Sequence, residues 1–213
     1  MTQPLLLVGA GGLAREVLAA ARALPSEFKT IGMLDDNPAQ HGSDVDGVPV
    51  LGPSDLVHEH TDALVLVCVA SPGKPAGRAN VVRRLDLPAE RYATLVHPAA
   101  SVAPGVELGE GTVLLAGTVI TAPQRVGAHV LAMPHVLFTH DDSVADFVTC
   151  AGRATLAGAV TVAESAYLGA GSLVRQGIRI GARAVLGMGA VVLSDVPDDQ
   201  TWVGVPAKPL NKS

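Results

Sequence analysis

Aromatic side chains are almost missing from this chain: one Trp, two Tyr and three Phe in 213 residues. Large rings dominate most cores, so an interior here has to be filled by Val, Leu, Ile and Ala, which suits narrow, repetitive packing. Charge is sparse too, with Asp, Glu, Lys and Arg at 16% and a formal net charge of -5 that contains no long run of either sign. Neither nucleic acid nor an anionic membrane surface is an expected partner. Only two cysteines occur, Cys68 and Cys150, far apart and without metal-ligand spacing. They read as reduced, buried residues, and no metal site is expected. Long apolar runs are absent: the longest, "ALVLVCVA" from Ala63 to Ala70, is far short of the ~18 residues of a membrane span. The N-terminus "MTQPLLLVGAGG" has no basic leader region and breaks into glycine, so a cytoplasmic protein is expected. Small-molecule chemistry is what these absences leave.

What is present divides into two halves. An apolar fraction of 48% supplies a core. "LLLVG" (5–9) reads as a buried parallel strand ending in glycines, and "LAREVLAAARAL" (13–24) as the helix after it. "TIGMLDD" (30–36) and "ALVLVCVA" read as further strands, with a hairpin or excursion in "DVDGVPVLG" between them. "AGRANVVRRL" (76–85) reads as a second helix and "ATLV" (93–96) as a last short strand. Such alternation predicts a small parallel sheet, Rossmann-like, over residues 1–97. Its first turn carries Gly9, Gly11 and Gly12, where a backbone can approach a ligand and a helix N-terminus can face phosphate. Asp35 and Asp36 end the second strand, where an acid can hold a ribose. The equally simple alternative is a tight turn followed by a polar loop. Too little chain is available for both halves of a dinucleotide fold, so a single nucleotide is the expected ligand.

The second half is a repeat of six. From Val102 to Val192, sixteen successive positions spaced by six are all apolar. Four residues further on in each step the side chain is mostly small or β-branched, as at Thr112, Val130, Val136, Ala154 and Ala190. Glycine often follows the aliphatic position, as at Gly109, Gly127 and Gly169, where a tight corner would need it. An uninterrupted six-residue period is the signature of a hexapeptide β-helix. Residues 98–213 are therefore expected to form a narrow prism, with Phe138 the odd aromatic inside it.

One stretch of the repeat departs from its apolar, small-residue composition: "FTHDD", residues 138–142. Acyl transfer to an amine or hydroxyl needs a group that accepts a proton as the nucleophile attacks, and a histidine suits that task. A carboxylate beside the ring holds its tautomer and stabilises the imidazolium that forms. His140 with Asp141 offers the pair; a solvated corner of the prism is the competing reading. His129 and His135 read as surface or interface packing, and His97 as part of the junction between the halves.

The sequence resembles the NeuD/PglD-like family of bacterial sugar acetyltransferases over nearly its whole length. "GAGGLAREV", "GMLDDNP", "VDGVPVLG", "ATLVHPAASVAPGVELGEGTVL", the unbroken hexads and the closing "WVGVPAKPL" carry the resemblance by their order and spacing. It implies an α/β N-terminal domain that holds a nucleotide-sugar and a C-terminal left-handed parallel β-helix. It also implies a homotrimer with acetyl-CoA bound between neighbouring subunits. By position it implies His140 as general base, Gly158 as a backbone donor to the thioester oxygen, and Ala170 and Met188 along the pantetheine groove. Two places depart from the family pattern: Thr149, where a second histidine can stand nine residues after the base, and Leu13, where many relatives carry histidine. An N-acetyltransferase of a nucleotide-linked amino sugar is the expected activity. O-acetylation of a sialic-acid-like or other small sugar, and a non-catalytic nucleotide-sugar-binding trimer, are the alternatives.

Overall fold

The computed structural model describes residues 2–210. Its N-terminal sheet is built from β1 (Gln3–Val8), β2 (Phe28–Leu34), β3 (Asp44–Val45), β4 (Val48–Gly52) and β5 (Leu64–Val67), in the order β3-β4-β2-β1-β5. Every pairing is parallel except the β3–β4 hairpin. Helix α1 (Gly12–Arg22) follows β1 and turns Ala14, Val17, Leu18 and Ala21 onto the sheet, the helical spacing visible in the sequence. Helix α2 (Gly77–Leu85) follows β5.

The short strand expected over 93–96 does not join that sheet. The chain touches β5 at Tyr92 and Ala93, then Leu95–Val96 pairs with Val113 and Leu114 and becomes the first rung of the second half. Leu95 is fully buried there, between the two halves, and an apolar rung suits that place.

From this rung the chain winds as a left-handed parallel β-helix. Its two-residue strands pair in register eighteen residues apart, as Val119 with Leu137, Val126 with Val144 and Leu131 with Thr149. Three flat stacks result. The hexad aliphatics point inward and form one continuous core with the small residues at the corners, Phe138 included at 0% exposure. Trp202, in the hairpin Thr201–Gly204 with Ala207–Pro209, closes the far end of the prism.

The corner glycines serve a purpose other than the expected one. Gly127 lies outside the left-handed region, and a Cβ there would sit 2.7 Å from the backbone of Ala145 and Asp146 on the next coil. The left-handed residue comes two places later, and it is His129, His135, Asp141 or Phe147 as readily as glycine. Asp141 therefore stands at φ +61°, one of a periodic series.

Each outer face has its own character. The first stack presents Leu95, Val113 and Leu131, which pack against the N-terminal domain in one shared core. The third presents Glu107, Arg125, Ser143, Thr161 and Arg179, all exposed. The second presents Val119, Leu137, Thr155, Leu173 and Val191, a largely apolar column that is left partly exposed among the described residues; Leu173 is 46% exposed. Among the described residues no helix is long and apolar enough to cross a membrane.

Candidate active site

His140 and Asp141 occupy the corner between the second and third stacks. The left-handed turn at Asp141 swings its carboxylate back to the preceding ring, and Nδ1 of His140 lies 2.8 Å from Oδ2 of Asp141. With that nitrogen donating, Nε2 is left as the acceptor. The side chains are 68% and 79% exposed, so the pair lies open on the outside of the prism.

One coil on, Gly158 lies beneath the imidazole. A Cβ at Gly158 would fall 2.5 Å from Nε2 of His140, so the missing side chain is what makes room for the ring. The Gly158 carbonyl accepts from Gly177, and its own N–H has no acceptor among the described residues. An unpaired donor beside the acceptor nitrogen is what tetrahedral acyl chemistry requires.

Ala170 and Met188 lie at the opposite edge of the second stack, on the corner shared with the first. They stack through the Gly189 N–H, which donates to the Ala170 carbonyl at 2.9 Å, and Met188 is 83% exposed. A single chain thus brings His140, Asp141 and Gly158 together and keeps Ala170 and Met188 apart from them across the apolar column.

In the N-terminal domain Gly9 takes φ +107°, and a Cβ there would lie 2.9 Å from the Cys68 carbonyl oxygen, whereas a Cβ at Gly11 or Gly12 would meet no described atom within 4 Å. No side chain caps α1, which leaves its first N–H groups free. Asp35 is engaged by the glycine turn and by its own loop: Oδ2 accepts from Ala10 N–H at 2.8 Å and Oδ1 from Asn37 N–H at 2.9 Å. Asp36 accepts from the Ser54 N–H and hydroxyl and pairs with Arg84 at 2.6 Å. Burial opposes its ionisation, but Ser54 and Arg84 outweigh that and lower its pKa. Asp35 therefore braces the glycine turn, and Asp36 ties the end of β2 to Ser54 and Arg84.

Three buried groups have partners that the sequence pattern did not show. Arg78 of α2, 4% exposed, donates to the carbonyls of Val69, His129, Phe147 and Val148 and to Oγ1 of Thr149. Burial pushes its pKa down to about 10. It ties the N-terminal domain to the prism, and it occupies Thr149, the position that departs from the family pattern. His129, 4% exposed, stacks on Phe147 at 5.0 Å and meets Tyr92 edge-on at 4.6 Å, and burial pushes its pKa down to about 4. Asp142 is the third. Cys68 and Cys150 are reduced and buried, their thiols pushed up to about 12 by burial. Among the described residues no three His, Cys, Asp or Glu side chains come together as a metal site.

A prism of hexads with an exposed histidine–carboxylate corner, joined to a glycine-turn α/β domain, defines a hexapeptide-repeat acyltransferase. Residues 4–85 match the PglD N-terminal domain, and residues 99–122 and 160–194 match the hexapeptide repeat of succinyl-transferase. PerB from Caulobacter crescentus, solved with CoA and GDP-perosamine, is 30% identical, with a TM-score of 0.86 and 99% of each chain covered. A histidine-to-asparagine variant of perosamine N-acetyltransferase from the same organism, in complex with the same two molecules, has 29% identity and a TM-score of 0.87 over 100% of this chain and 99% of that one. The acetyltransferase domain of PglB from Neisseria gonorrhoeae has 29% identity and a TM-score of 0.86 over 98% and 100%. The chain belongs to the NeuD/PglD-like family of hexapeptide sugar acetyltransferases. A UDP-N-acetylglucosamine O-acyltransferase of Thiobacillus denitrificans is 36% identical over 85 residues, 40% of this chain. The match spans only 33% of that curated relative's length.

Proposed function

We propose that this protein transfers the acetyl group of acetyl-CoA to an amino group of a nucleotide-linked sugar, with His140 as general base. The observation that carries the reading is the corner itself: a histidine oriented by Asp141 at 2.8 Å, over a glycine whose N–H has no acceptor. The acceptor amine attacks the thioester carbonyl carbon, and Nε2 of His140 takes the proton released as the C–N bond forms. Negative charge gathers on the carbonyl oxygen, where the Gly158 N–H donates to it. Collapse breaks the C–S bond, and the proton on His140 passes to the departing CoA sulfur. Asp141 stabilises the imidazolium between the two proton transfers.

The nucleotide part of the acceptor belongs at the open N-terminus of α1, beside Gly11 and Gly12, with Gly9 and Asp35 shaping that turn and Asp36 holding the adjoining loop to Ser54 and Arg84. Ala170 and Met188 line the pantetheine groove in this reading. Because they lie across the apolar second stack from His140, the site is completed by a neighbouring chain in a homotrimer that covers that column. Acetyl-CoA and nucleotide-sugars are cytoplasmic metabolites, and that compartment is part of the reading.

O-acylation is the second reading, favoured by the O-acyltransferase relatives. A match that spans the whole chain is to a perosamine N-acetyltransferase, so the amine is preferred. The test is incubation with acetyl-CoA and a panel of GDP-, UDP- and dTDP-linked amino sugars, following free thiol and product mass. N-acetylated product from one member is expected. Acetylation of hydroxyl acceptors alone would select the second reading, and binding of nucleotide-sugars without thiol release from any would make the protein a binding trimer.

A further inference from the structure

Asp142, the last residue of the corner, has no part in the chemistry above, yet it is 5% exposed and two residues from His140. At this place in several other hexads the N–H closes the corner onto the carbonyl three residues back, as Val136 to Met133 at 3.3 Å and Ala154 to Ala151 at 3.0 Å. Two successive corners are held in another way. In the first, 139–142, the Asp142 N–H donates to Oε1 of Gln124 at 2.9 Å, and Nε2 of Gln124 donates to the Thr139 carbonyl at 2.9 Å. In the second, 157–160, the Val160 N–H donates to Oδ1 of Asp142 at 2.9 Å, while Oδ2 accepts from Thr139 N–H at 2.9 Å. These are the corners that carry His140 and Gly158.

We propose that Asp142, keyed by Gln124, is a positioning residue that fixes the gap between the His140 ring and the Gly158 N–H. The proposal rests on the roles of His140 and Gly158 given above. Its physical basis is that one carboxylate grips the backbone on both sides of that gap: Thr139, which precedes the base, and Val160, two residues past the donor. Both partners are N–H groups, so two acceptor oxygens match them, and an amide in the same place would turn a donor toward a donor. The arrangement is unfavourable for stability alone. Burial pushes the Asp142 carboxyl up to about 6, against the N–H groups of Val160 and Thr139 that hold it back, where the usual valine would carry no charge at all. The prism tolerates such exchanges elsewhere, since the Thr112 hydroxyl takes the Val130 N–H at 3.0 Å in another corner.

The test is Asp142→Val, which restores the ordinary hexad residue, together with Gln124→Val and Asp142→Asn. Asp142→Val should fold with an unchanged or higher Tm and leave KM for both substrates within about twofold, while kcat falls by about 100-fold, the loss expected for ~1 Å of misplacement. Gln124→Val releases the same ladder from its other end, and Asp142→Asn keeps one of two acceptors; both should lose less, with the same split of kcat from KM. A folded Asp142→Val within threefold of the wild-type kcat overturns the proposal, as does a rise in KM at constant kcat. His140→Asn run alongside separates the two layers: full turnover in that variant would fail the base itself, whereas its loss beside an unimpaired Asp142→Val would fail only the positioning role. A crystal structure of Asp142→Val gives a readout free of activity. The Val160 N–H is expected to close onto the Ala157 carbonyl and the ring to shift over Gly158; unmoved corners would contradict the proposal.

Discussion

Gly158→Ala puts the geometry of the corner to a quantitative test. The new Cβ would lie 2.5 Å from Nε2 and 3.0 Å from Nδ1 of His140, where ordinary contact begins at 3.4 Å. The ring must give way by about 1 Å, and a reacting group misplaced by that much loses about 100-fold in rate, equivalent to about 2.7 kcal/mol of barrier. Folding should be spared for two reasons. Gly158 lies outside the left-handed region, and the atoms in the way belong to an exposed side chain free to move. Thiol release under saturating acetyl-CoA, with a thermal melt beside it, reads both effects. The control is Gly127→Ala, whose Cβ meets backbone of the next coil at 2.7 Å and should lower Tm instead. A Gly158→Ala protein that is folded and retains wild-type kcat would refute the placement of the ring over the glycine.

Leu173→Asp places a charge in the partly exposed apolar column and should convert trimers to monomers in light scattering, with activity lost in parallel; an active wild-type monomer would contradict the shared site. Ala170→Trp should abolish acetyl-CoA binding by bulk while nucleotide-sugar binding persists, and unchanged acetyl-CoA affinity in a folded variant would move the groove elsewhere. The pH dependence of stability has two opposed sources. His129 has its folded pKa depressed to about 4, so its contribution is present above about pH 6.5 and lost as pH falls through 4. Asp142, raised to about 6, contributes stability below about pH 4 that is lost as pH rises through 6. Urea denaturation between these limits should therefore show Asp142→Val losing stability toward acid and His129→Asn, which tolerates the positive φ, gaining it; parallel slopes in the two variants would contradict the burial of both groups.

The prism was legible because its constraint is local: every sixth side chain must fit the same narrow interior, and sixteen positions in a row obey it. The βαβ half was legible from the glycine turn and the helical spacing after it. Gln124 and Asp142 did leave a mark, as polar residues eighteen apart in a column otherwise small or β-branched. What they grip could not be read, because backbone N–H groups carry no sequence signature. Arg78 was hidden for the same reason. It shares a polar helix with Arg83 and Arg84, and four of its five partners are carbonyls, as far as seventy residues away. The corners misled in a more instructive way. Glycine follows the aliphatic residue because adjacent coils touch there, whereas the left-handed position two residues later admits His129 and Asp141, and that tolerance is what allows a carboxylate to turn back onto the His140 ring.

The central claim is that His140 takes the proton from the attacking acceptor. Steady-state thiol release by wild type and His140→Asn, with acetyl-CoA affinity by calorimetry for each, tests it most directly. Asparagine keeps a polar side chain and cannot accept a proton near neutral pH, so turnover should fall by ~10²–10⁴, the usual contribution of a general base, while acetyl-CoA affinity stays constant. Turnover within about threefold of wild type across neutral pH, far short of that loss, would contradict the account and leave "FTHDD" a corner of the prism without a chemical role.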